Sequence, residues 1–123
     1  MSFPVATRPL EYVAFFNFEV RVQSEPAYVF IAIDAFDAFA FNLGAAMNED
    51  ATTVKGCIYA LTEDPEFKHR NQGVGFTIIL DKFGDLIPEL TPIIHTLGGK
   101  IRVDSVYNKY LAIPLLQAFA NIK

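Results

Sequence analysis

The sequence predicts an α/β fold in one domain: a three-stranded antiparallel meander, then two parallel strands reached through crossover helices. Three observations carry that prediction. Three aromatic or β-branched runs crowd into residues 11–44, and gaps this short admit only antiparallel pairing, because a parallel pair needs a long crossover. From Asn48 onward the apolar spacing changes from period two to the helical period. Short apolar runs then alternate with helix-patterned segments, as crossover units do.

Each element has its own signal. After a lead punctuated by Pro4 and Pro9, "EYVAFFNFEVRV" sets Phe16, Phe18, Val20 and Val22 on one face against Asn17, Glu19 and Arg21 on the other, a strand with one polar face. "QSEP" reads as a turn, with Pro26 ending the pairing. "AYVFIAID" is a near-continuous apolar run, suited to a strand covered on both faces. A tight turn at Ala35–Asp37 leads to a third strand in "AFAFNLG", with Asp34 and Asp37 expected in solvent beside it.

The helical half starts with Asn48 as the expected cap and Glu49 and Asp50 in the first turn, where carboxylates complement the helix dipole. Ala51, Val54, Ile58 and Leu61 share one face, and Gly56 suggests close packing. "DPEFKHRNQGVG" reads as a polar loop, and "FTIILD" as the next strand. Thr91 as cap with Pro92 at the first helical position, closed by Gly98 and Gly99, gives another helix. "KIRVDSV" is then a short strand. "PLLQAFANIK" closes the chain as a helix with Pro114 near its start and Leu115, Leu116, Phe119 and Ile122 inward. The order β-β-β-α-β-α-β-α is the ribonuclease H-like one. Residues 1–10 form a lead and 11–123 one domain.

Composition narrows the function. Hydrophobic residues make up 52% of 123, with twelve Phe and no Trp. That excess predicts a buried self-association surface, hence a homodimer. A net charge of −4 and scattered basic residues argue against strong nucleic-acid binding. "KHR" at Lys68–Arg70 is the longest basic run and reads as solvated loop. The lone Cys57 excludes an intrachain disulfide and reads as a small apolar residue rather than a nucleophile. His69 and His95 are too isolated to suggest zinc. No signal-peptide core and no apolar run of membrane length are visible, so no membrane and a cytoplasmic location are expected.

Two segments carry a family likeness. "YVFIAIDAFDAFAF" resembles the second and third strands of the catalytic core of retroviral-type integrases and bacterial transposases, members of the ribonuclease H-like superfamily. "QAFANIK" resembles that family's last helix. The likeness spans roughly residues 11 to 123. It implies three acidic residues binding two magnesium ions for strand transfer: one on the first strand, one just after the fourth, one on the final helix. Carried over, Asp81 takes the second position. The family's spacing and the "QAFANIK" match both put Gln117 in the third, and the first falls on Asn17 or Glu19. Amides are weak ligands for magnesium, which favours carboxylates. Lys82, next to Asp81, puts a cation where a metal would sit. The likeness therefore implies a degenerate, non-catalytic member without cofactor, acting as a self-association or interaction module. One alternative is a nuclease or strand-transfer enzyme holding magnesium on Glu19 and Asp81. The other is a nucleic-acid binder that kept the fold without the chemistry.

Overall fold

The computed structural model describes residues 5–120 and, in the last helix, side chains as far as Ile113. It is a mixed α/β structure in which five strands form one sheet: β1 (Tyr12–Val22), β2 (Glu25–Asp34), β3 (Ala40–Ala46), β4 (Phe76–Leu80) and β5 (Gly99–Val103). Their spatial order is β3-β2-β1-β4-β5. β2 pairs antiparallel with both β1 and β3, while β4 runs parallel to both β1 and β5. Helices α1 (Ala51–Glu63), α2 (Pro65–Arg70), α3 (Ile87–Thr96) and α4 (Ser105–Ala120) complete the described fold, with a short 3₁₀ turn at Gly84–Leu86.

Alternation along β1 separates two packing layers. Val13 and Phe15 join Phe30, Ala32, Phe41, Ile78 and Leu80 under Val54, Ile58 and Leu61 of α1, Phe67 of α2, and Leu90 and Ile94 of α3. Phe16, Ile31 and Ile33 face the other way and pack with Ala112 of α4. Burying each large side chain contributes about 1.5–3 kcal/mol, and both faces of the sheet are used. Aromatic edges link the first layer, with Phe41 on Phe67 and Phe67 on Phe76 at centroid separations of 6.1 and 5.1 Å.

The hairpin between β1 and β2 is tighter than the sequence suggested. Only Gln23 and Ser24 turn, both at positive φ (52° and 68°), which matches the twist of a two-residue hairpin. Pro26 does not end the pairing; it lies in β2 opposite Arg21. The pairing with β3 begins only at Tyr28, so no strand adjoins Pro26 on that side to need its missing N–H.

Other boundaries also move. "PEFKHR" is helix α2, not loop: the Asp64 carboxylate accepts from the N–H groups of Glu66 and Phe67, and Pro65 opens the helix. Asp50, not Asn48, caps α1 by accepting from Thr53, and Ala51 is exposed. Gly56 makes no close contact, since a Cβ there would meet nothing within 4 Å. α3 starts at Ile87, so Pro92 is internal. Its ring and Pro88 are both exposed, so the carbonyl that Pro92 leaves without a helical donor lies on the solvent side. β5 ends at Val103, and α4 begins at Ser105, with Asp104 accepting from the Tyr107 N–H. Pro114 is therefore inside α4. The inward positions expected of Leu115, Leu116 and Phe119 lie outside the described side chains, and Ile122 outside the described residues.

The lead is tied to the domain. Leu10 is 1% exposed, and its N–H donates to the Asp34 carboxylate at 3.0 Å.

Candidate functional site

β1 and β4 are last paired at Phe15 and Leu80. Beyond that pair β1 continues through Asn17 and Glu19, whereas the chain leaves β4 at Asp81. A crevice outside the carboxyl end of a parallel strand is where α/β sheets usually place ligands. Two further elements, α4 and the β3–α1 connection, close on this one.

Asn108 of α4 fills the seam. Its Nδ2 donates to the Phe15 carbonyl at 2.8 Å and to the Ile79 carbonyl at 2.6 Å, bridging β1 and β4 while only 1% exposed. Glu49, one residue before the α1 cap, reaches in from the β3–α1 connection. Its Oε2 accepts from Asn17 Nδ2 at 2.7 Å and from Lys82 Nζ at 2.9 Å. Asn17 and Lys82 therefore share one carboxylate oxygen. The Asn17 amide, and after it the Lys82 ammonium, hold the Glu49 carboxyl below the usual carboxylate range.

Asp81 stands apart from this pairing. Its Oδ1 is buried without a hydrogen-bond partner, and burial pushes its carboxyl up despite the opposing influence of Lys82 and Lys109. The turn that follows is strained: Phe83 sits at φ 70°, in the left-handed region that bulky residues avoid, with the Lys82 ammonium 5.1 Å from its ring centre.

Of the positions singled out in the sequence, Asn17 is joined through Glu49 to the residue next to Asp81. Glu19 lies two residues further along β1 and is exposed. Gln117 falls in the part of α4 whose side chains lie outside the described residues. Among the described residues no three His, Cys, Asp or Glu side chains converge as a metal-holding group. What does converge is one ionised carboxylate, one amide and one ammonium, with a second carboxylate partly desolvated beside them. Such a set neutralises itself, and it does not fit a pair of dications, which need several anionic oxygens. Cys57 is half-buried, and burial raises its thiol pKa, the opposite of an activated nucleophile.

Asp34 overturns its expected solvation. It is fully buried and accepts from the Leu10 and Phe36 N–H groups and from Arg70 Nη1 at 2.7 Å. Arg70 also donates to both oxygens of Asp37, at 3.0 and 2.9 Å, and to Glu66 at 3.0 Å, while its guanidinium lies 4.5 Å from the Phe39 ring centre. The end of "KHR" is thus a structural clamp rather than solvated loop.

Sequence reasoning missed Glu49 and Asn108 as site residues. Glu49 precedes the helix it was assigned to, so its side chain can point elsewhere. Asn108 is a lone amide on the helix side that carries Tyr107, Leu111 and Ala112, which is a readable sign of a buried polar contact.

No family model matches this chain, and no curated protein and no solved structure matches it either.

Proposed function

We propose that this chain is a non-catalytic domain of ribonuclease H-like fold, related to integrase and transposase cores, that works by self-association. The strand order β3-β2-β1-β4-β5, with an antiparallel meander beside two parallel strands, supports the fold assignment. One observation carries the loss of chemistry: Glu49 Oε2 accepts from both Asn17 and Lys82. In the crevice where strand transfer would need dications, the positive charge is the chain's own ammonium, already neutralised. Asn17, one of the two positions where the likeness calls for a carboxylate, is an amide whose Nδ2 donates to Glu49.

Self-association is supported by the outer face of α4. Val106, Tyr110 and Ile113 are spaced i, i+4, i+7, which puts them on one side of the helix, and they are 59, 53 and 47% exposed. A second copy packing on this stripe would remove it from water.

Two measurements test the reading. Titration with magnesium, followed by calorimetry and amide NMR, is expected to show no saturable binding; saturable binding lost in Asp81→Ala would overturn the loss of chemistry and favour the nuclease alternative. Equilibrium sedimentation is expected to show a dimer that dissociates in Val106→Lys/Ile113→Lys. A monomeric wild type would remove self-association from the proposal.

A further inference from the structure

Among the described residues β5 is an outer strand of the sheet, with β4 as its one neighbour. The Asp104 N–H donates to the Leu80 carbonyl, which sets the phase of this parallel ladder. Alternate residues Lys100 and Arg102 turn their peptide groups toward β4. Ile101 and Val103 turn theirs to the open edge, while Gly99, at the start of the strand, is buried. The side chains divide the same way. Ile101 packs in the core under α3, and Val103 lies on that same side, 44% exposed. Lys100 and Arg102 project from the opposite face, both exposed, and neither has a carboxylate partner among the described residues.

We propose that the β5 edge accepts an extended segment of a partner protein in which acidic and apolar residues alternate. An added strand would take up the outward N–H and C=O groups of Ile101 and Val103. Because successive side chains on a strand point to opposite faces, its acidic residues would lie beside Lys100 and Arg102 and its apolar residues beside Ile101 and Val103. The same two cations protect the edge from a second copy of itself, since β5 against β5 would set like charges opposite one another. The edge therefore discriminates: it repels its own kind and admits an acidic strand. This surface is separate from the α4 stripe of the self-association reading and goes beyond it.

The test uses the whole chain and three labelled probes: a decapeptide alternating glutamate and valine, its lysine–valine counterpart, and an oligothymidylate. The acidic peptide is expected to bind saturably, to weaken with added salt, and to slow hydrogen exchange at the amides of Ile101 and Val103. Lys100→Glu/Arg102→Glu, both on exposed side chains, is expected to weaken it at least about tenfold, roughly 1.4 kcal/mol, and to transfer preference to the lysine peptide. The Val106→Lys/Ile113→Lys variant keeps the binding, which separates this result from the fate of the dimer. Absence of saturable binding overturns the proposal. So does binding indifferent to the double charge reversal, binding without protection at those two amides, or tighter binding of the oligothymidylate, which would make the patch a phosphate site.

Discussion

The Arg70 guanidinium donates to the fully buried Asp34 carboxylate at 2.7 Å, joining the last turn of α2 to the end of β2. Asp34 at the same time accepts the Leu10 N–H, so one carboxylate holds the lead, the strand end and a helix together. Removing one member of a buried pair costs more than the pair itself contributes, because a desolvated charge is left behind. Arg70→Met is therefore expected to destabilise the fold by about 3 kcal/mol, read as a lower urea midpoint. Arg70→Lys keeps the charge but cannot reach Asp34, Asp37 and Glu66 together, so it falls between wild type and Arg70→Met. Equal midpoints for all three proteins would show that the clamp contributes nothing.

Asn108 donates to two strand carbonyls at once, from a position with almost no access to water. Asn108→Leu leaves both carbonyls without that donor, at a cost of roughly 2–3 kcal/mol. Asn108→Asp is worse at neutral pH, since it sets a carboxylate against the same two oxygens. Thermal unfolding is expected to rank wild type above the Leu variant and the Leu variant above the Asp variant. Reversal of the last two would show that volume, not hydrogen bonding, governs this site.

The mixed α/β class and the strand runs were legible because they rest on local periodicity. Phe16 and Phe18 against Asn17 and Glu19 announce a strand with no knowledge of its neighbours. Helix starts were less legible where proline was involved: Asp64-Pro65-Glu66 is a capped helix start that the polar residues around it disguised as loop. The site was least legible. Glu49 and Lys82 lie 33 positions apart and meet only because the β3–α1 connection and the turn after β4 arrive at the same place. Asp34 looked solvated from its turn context, and its burial depends on Arg70 arriving from 36 positions away. No local pattern encodes either meeting.

Gly99 opens β5 directly under the Phe76 ring, and a Cβ at that position would collide with it. Phe76 cannot yield easily: it is 3% exposed, with Phe67 packed edge-on at 5.1 Å. Gly99→Ala is expected to cost about 1–3 kcal/mol, the usual range for overpacking a dense core. Phe76→Leu in the same chain removes the colliding ring edge. The double variant is then expected to lose less than the sum of the two single losses, which a double-mutant cycle in urea measures. Strict additivity would mean that the ring is not what Gly99 accommodates.

The two carboxylates at the crevice give opposite dependences on pH. Burial raises the Asp81 carboxyl above its ordinary 3.8, so the folded chain keeps a proton there that the unfolded chain has already released. Stability from that proton is present in acid and falls as pH rises through the window above 3.8. Glu49 is lowered from 4.5 by Asn17 and Lys82, so its contribution is present above 4.5 and disappears as pH falls through the folded value. Asp81→Asn removes the cost of a desolvated charge and is expected to raise stability at neutral pH by about 1 kcal/mol, with no difference in acid. Glu49→Gln is expected to lower neutral stability by less than about 1 kcal/mol, because both side chains of the Lys82 pair are about a third or more exposed and solvent screens them; that difference too vanishes in acid. Urea midpoints across the acid range separate the two cases by sign. An Asp81→Asn variant less stable than wild type at neutral pH would mean that the carboxylate is held by a partner after all.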